Sequence, residues 1–182
     1  MSHGDIDRRK SYGDFLSRQE CEKTTDIYYE LNCDYNKNGA NGFICGRITM
    51  ESSFAGGWHP ALSKYKPLKP NPVPMNFWLD EEYMSGFYVI CFDPKGKLGW
   101  KSNRIIDEDP GYGIAQIIEV LTEQVDERYL AYLQEMEIPY IFAGETEVDV
   151  AFALNTLAVH GITPLVLEDG SIVNVGIFSV QM

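Results

Sequence analysis

Positive charge is scarce in this sequence of 182 residues, where 15 Lys and Arg face 27 Asp and Glu and leave a formal net charge of −12. A surface of that sign repels a phosphate backbone, which argues against a nucleic-acid-binding role. Long apolar runs are also missing. No stretch approaches the roughly 18 consecutive apolar residues that span a bilayer, and the polar start MSHGDIDRRK lacks the apolar core of a secretory signal. Cysteine is sparse: Cys21, Cys33, Cys45 and Cys91 form no C-x-x-C pair, and three of them lie in stretches that read as apolar helix or strand. They are expected to be buried free thiols of a soluble, cytoplasmic protein. His3, His59 and His160 share no metal-like spacing with one another or with the cysteines, so no metal site is expected and each is read as structural or surface.

What is present is a chain of one-domain length with 45% hydrophobic residues, enough for a single globular unit over 1–182. Ser17 with Glu20 three residues on is a capping-box pattern that predicts a helix from Arg18 to Asn32. A turn over Asn36 to Asn41 leads into a buried strand at Gly42 to Cys45, ended by Gly46, and a short helix at Arg47 to Ser53. His59 to Asn76 holds five of the nine prolines and reads as loop. Further strands are expected at Phe87 to Phe92, Ile114 to Leu121, Pro139 to Ala143 and Thr163 to Leu167. Asp126 is placed to cap one intervening helix. Thr146 with Asp149 resembles a capping box for another, whose apolar stripe is Val150, Leu154, Leu157 and Ala158 and whose end is Gly161.

Apolar rather than alternating strands, interleaved with helices, describe an α/β domain whose sheet is covered on both faces. Ligands in such sheets bind beyond the carboxyl ends of the strands, which directs attention to the residues after Cys45, Phe92, Ala143 and Leu167. After Cys45, Gly46, Arg47 and Thr49 stand where a strand meets a helix. Free N–H groups, a guanidinium and a hydroxyl suit a phosphate. The same residues also fit a tight turn at Gly46 with Arg47 paired to a carboxylate, and the physics alone leaves both readings open.

The string Gly46-Arg47-Ile48-Thr49-Met50-Glu51-Ser52 after an apolar strand resembles the G-R-x-T-x-E-S hallmark of the dihydrofolate-reductase-like family. Gly13-Asp14-Phe15-Leu16-Ser17-Arg18, Ile118-Glu119-Val120-Leu121-Thr122, Tyr140-Ile141-Phe142-Ala143-Gly144 and Leu165 to Asn174 resemble the reductase domain of the riboflavin-biosynthesis deaminase/reductase branch. The resemblance covers roughly Tyr12 to Phe178. It implies a three-layer α/β/α fold with a mostly parallel central sheet, expected here to lack the family's first strand and its C-terminal strands. It also implies NADPH, with Gly46, Arg47 and Thr49 on its phosphates and Glu51 supporting the helix.

By the same resemblance Gly144 and the turn Asp169, Gly170, Ser171 and Ile172 belong to the cofactor site, although Asp169 and Ser171 stand where that branch has glycine. Lys95 and Lys97 in Asp93-Pro94-Lys95-Gly96-Lys97 correspond to a loop near the adenosine end that favours NADPH over NADH, or are simply solvated turn lysines. Asp26 and Asp14 are the counterparts of substrate-contacting residues; Asp26 also reads as an exposed helical carboxylate. The implied activity is NADPH-dependent reduction of a pyrimidine or pterin-like heterocycle, similar to 5-amino-6-(5-phosphoribosylamino)uracil reductase. Alternatives are dihydrofolate reduction and a noncatalytic, truncated relative acting as a binding protein. A homodimer covering an open sheet edge is a further expectation.

Overall fold

The computed structural model describes residues 39–68, 76–79, 86–107 and 113–168. Six strands form one mixed sheet: β1 Gly42–Gly46, β2 Tyr88–Phe92, β3 Arg104–Asp107, β4 Gly113–Leu121, β5 Tyr140–Phe142 and β6 Leu165–Leu167. Their order is β3-β4-β2-β1-β6, with β5 also on β4. Every pairing is parallel except β3 with β4. The fold is therefore α/β with a mostly parallel sheet. The expected helix at Arg18 to Asn32, and the strands expected to be missing at either end, lie outside the described residues.

Both faces of the sheet are covered, and this explains the unbroken apolar strands. On one face Phe43, Cys45, Val89, Cys91, Ile117 and Leu121 pack against Met50 and against Tyr129, Leu130, Tyr132 and Leu133 of helix α2, Glu127–Glu135. On the other, Ile44, Ile90, Phe92, Ile118, Val120 and Ile141 meet Ala153 and Leu157 of α3, Val150–Val159. The short helix expected at Arg47 to Ser53 is present but changes type: α1, Arg47–Met50, is α-helical and passes into a π-helical turn at Glu51–Ala55, which Gly56 ends at φ 62°. No helix among the described residues is long and apolar enough to cross a membrane.

Two caps bear on the sequence reading. Asp126 caps α2 as expected, its side chain accepting from the Arg128 N–H at 2.9 Å and from the Arg128 guanidinium at 3.0 and 2.5 Å. For α3 the cap is Asp149 rather than Thr146, because the Asp149 carboxylate accepts from the Phe152 N–H at 2.9 Å. Of the expected stripe Val150, Leu154 and Leu157 pack against the sheet, Ala153 joins them, and Ala158 is exposed.

The bonds to Arg128 hold the Asp126 carboxyl low, at about 2. A depressed carboxylate stabilises the fold above its unfolded value and loses that contribution as the pH falls through the folded one. Asp126→Ala is expected to lower stability by about 1 kcal/mol at neutral pH, the usual worth of an N-cap. The half-exposed ion pair adds little. Thermal melts from neutral to strongly acidic pH should show the deficit shrinking below about pH 3.

Candidate functional site

From β1 the chain steps outward through β2 and β4 to β5, then returns to place β6 on the opposite side of β1. β1 therefore marks a reversal of strand order, and in open α/β sheets ligands bind in the crevice beyond the carboxyl ends of the strands at such a point. The two strands are in register from Gly42 with Leu165 to Ile44 with Leu167. The Glu168 N–H donates to the Ile44 carbonyl at 2.9 Å, and the Cys45 thiol donates to the Glu168 carbonyl at 2.8 Å. These bonds extend the β1–β6 ladder to Glu168, and Gly46 and Arg47 follow directly on the β1 side.

Gly46 lies opposite Phe92, so Arg47 and Asp93 leave the sheet side by side. Arg47 is half-buried and donates from Nη1 to Glu51 Oε2 at 2.6 Å, one helical turn on. The second oxygen of that carboxylate faces His59 Nε2 at 3.5 Å. Next to this group is the turn after β2. Gly96 adopts φ +61°, and a Cβ there would stand 2.4 Å from the Tyr129 ring, so the position needs glycine on both counts. Lys95 and Lys97 flank it and are exposed. Three cations, Arg47, Lys95 and Lys97, thus gather at the ends of β1 and β2 in a chain that is otherwise strongly acidic.

Beneath them is a buried polar layer. Cys45, Cys91 and Glu119 are aligned in register across β1, β2 and β4. Glu119 is completely buried; its Oε1 accepts from the Trp100 indole at 2.5 Å and from the Tyr129 hydroxyl at 3.4 Å. Asp93, also completely buried, accepts through Oδ2 from the Lys97 and Leu98 N–H groups at 2.5 and 2.7 Å. Among the described residues neither Glu119 Oε2 nor Asp93 Oδ1 has a hydrogen-bond partner.

Burial, reinforced by the charge of Asp93, pushes the Glu119 carboxyl well above the usual range. Burial also raises Asp93, but the two backbone donors and the charges of Arg47 and Lys97 oppose it. The upward shift is therefore the stronger at Glu119, while these donors and cations favour the charged form of Asp93. Burial likewise keeps Cys91 a thiol, and both described cysteines, Cys45 and Cys91, are buried and outside any disulfide, as expected.

The structure brings Gly46, Arg47 and Thr49 together at the crevice lip, with Lys95 in the neighbouring turn. It sets Gly144 apart, at the end of β5 and three strands from β1, roughly 14 Å by strand spacing. Gly144 has a local reason to be glycine: it holds φ +125°, and a Cβ would come within 2.0 Å of the Glu147 carbonyl oxygen. Asp14, Asp26, Asp169, Gly170, Ser171 and Ile172 lie outside the described residues. Sequence reasoning did not find the buried pair Asp93 and Glu119, though a glutamate inside the apolar run Ile117-Ile118-Glu119-Val120-Leu121 was its signal. It did not find the approach of His59 Nε2 to Glu51 either, for which no local signal exists.

Among the described residues no cluster of His, Cys, Asp and Glu is placed to hold a metal ion. In comparisons with known proteins, no family model matches the chain and no curated protein matches its sequence.

Proposed function

We propose that this chain is a dihydrofolate-reductase-like, NADPH-dependent reductase of a pyrimidine or pterin-like heterocycle, similar to 5-amino-6-(5-phosphoribosylamino)uracil reductase. The observation that carries the reading is the reversal of strand order at β1, flanked by β2 and β6, with Arg47 directly after its carboxyl end, the place where doubly wound sheets hold dinucleotides. The donor set fits an anionic cofactor: a guanidinium with a single carboxylate partner among the described residues, next to the lysines of the Asp93 turn. Arg47 and Thr49 would hold its phosphates, and Lys95 would favour a 2′-phosphate.

NADPH, when bound, supplies the hydride. What remains for the protein is to bind, orient and exclude water. A carboxylate such as Asp169 next to a pyrophosphate is unfavourable unless it turns away, and this makes Arg47 the more necessary.

Fluorescence titration of the whole chain with NADPH, with NADH in parallel, tests the reading. Micromolar NADPH binding, about 8 kcal/mol, is expected. Arg47→Ala should weaken it by about 10- to 100-fold, the worth of a charge-assisted hydrogen-bond pair. A folded sample that binds neither nucleotide at millimolar concentration, or an Arg47→Ala variant that binds as the wild type does, would show the reading to be wrong.

A further inference from the structure

The loop after α1 is fastened to the strap after β2 by contacts that sequence spacing does not reveal. Gly99 is the first. A Cβ on it would stand 1.8 Å from the Trp58 carbonyl oxygen and 2.8 Å from the His59 Cα, so only a bare residue lets the two backbones meet. His59 is the second: its Nδ1 lies 2.9 Å from the Lys97 carbonyl oxygen. A carbonyl can only accept, so Nδ1 carries the proton and donates it. The ring then turns Nε2 toward Glu51 Oε1 at 3.5 Å, an ion pair when that nitrogen is protonated as well, while Glu51 Oε2 accepts from Arg47 at 2.6 Å.

Glu51 thus divides its two oxygens between an arginine one turn back on its own helix and a histidine on the loop beyond. The path continues through the Lys97 N–H to Asp93 Oδ2, which ties the network into the end of β2. Trp58 adds a ring contact, 6.4 Å from Tyr132, whose hydroxyl donates to the Trp100 carbonyl. The result is a closed circuit from the end of β1, through α1 and its loop, to the strap after β2. Arg47 has a long side chain, and binding an anion through it would otherwise cost rotamer freedom.

We propose that His59, with both ring nitrogens protonated, is a positioning residue for Arg47: donating to the Lys97 carbonyl from Nδ1 and facing Glu51 with Nε2–H, it fixes the carboxylate that holds the Arg47 guanidinium at the end of β1. This rests on the dinucleotide reading above. His59 does not touch the cofactor; it acts through Glu51. Gly99 serves the same end by letting the loop close.

The test is a double-mutant cycle on the full chain, read by NADPH titration and accompanied by thermal melts. His59→Ala is expected to weaken NADPH by about three- to tenfold, the range of an oriented but partly exposed ion-pair network. Gly99→Ala should do the same by moving the loop. In an Arg47→Ala background, His59→Ala should change the affinity no further, an outcome that a merely structural role would not give. Equal weakening in both backgrounds, or no weakening where Arg47→Ala alone weakens binding, overturns the assignment of His59 and leaves the dinucleotide reading standing. If Arg47→Ala itself has no effect, both fall together.

Discussion

Glu119→Gln is expected to raise the melting temperature at about pH 8 by several degrees and to change it little at about pH 4. Glu119 is buried with its folded-state value raised, so the native chain binds a proton that the unfolded chain gives up. The stability that this proton brings is complete below the ordinary glutamate value and is lost as the pH rises through the folded one. Asp93 is shifted in the same sense and adds to the alkaline loss. Glutamine stays neutral throughout and can still accept from the Trp100 indole, so the slope attributable to position 119 disappears.

Glu119→Ala separates charge from packing. It removes the acceptor of the Trp100 N–H, bonded at 2.5 Å, and leaves a cavity between β4 and α2. A loss of about 3 kcal/mol at acidic pH follows from a stranded buried donor plus lost contacts, and it should narrow as the pH rises, because alanine does not titrate either. Chemical denaturation at two pH values checks both variants. A Glu119→Gln protein that is less stable than wild type at alkaline pH would mean that the carboxylate is ionised and stabilising in the folded chain.

The second large effect is expected at Gly144. A side chain there meets the Glu147 carbonyl oxygen at 2.0 Å and must adopt φ +125°, a combination no L-residue accommodates without moving backbone. That backbone also carries the Asp149 N–H to the Ala143 carbonyl bond at 2.6 Å and so sets the start of α3. Gly144→Ala should cost about 3 kcal/mol or more. The folded fraction should bind NADPH as the wild type does, since Gly144 lies three strands from the crevice. A selective loss of binding without a loss of stability would instead place Gly144 at the cofactor.

Five of the six strands were legible because both faces of the sheet are buried and their residues therefore run apolar without alternation. Gly42–Gly46 and Gly113–Leu121 differ from the expected bounds by a residue or less at each end. β3 escaped because Arg104-Ile105-Ile106-Asp107 is short, polar at both ends and pairs only with the antiparallel edge of β4. The helix at Arg47 was legible but its change of type was not, since nothing in Glu51-Ser52-Ser53-Phe54-Ala55 announces a π-helical turn.

At the site, Gly46, Arg47 and Thr49 were legible because strand end, turn and helix start are contiguous in sequence. The lysines after β2 were visible as turn chemistry. His59 was not, because its partners are Lys97, 38 residues away, and a carboxylate whose other oxygen is already taken. Polar networks closed by tertiary packing leave no periodic trace in a sequence, whereas apolar faces do.

The pairing of β1 with β6 has a kinetic consequence. β3 and β4 are neighbours in the chain, and β1, β2, β4 and β5 follow one another outward, so their pairings close over comparatively short spans. β6 must instead reach back across nearly all of the described chain to lie against Gly42–Ile44. Contacts of such separation carry the largest loop-closure cost and tend to form late. The crevice should therefore be assembled at the end of folding, and substitutions in Leu165–Leu167 should speed unfolding far more than they slow refolding.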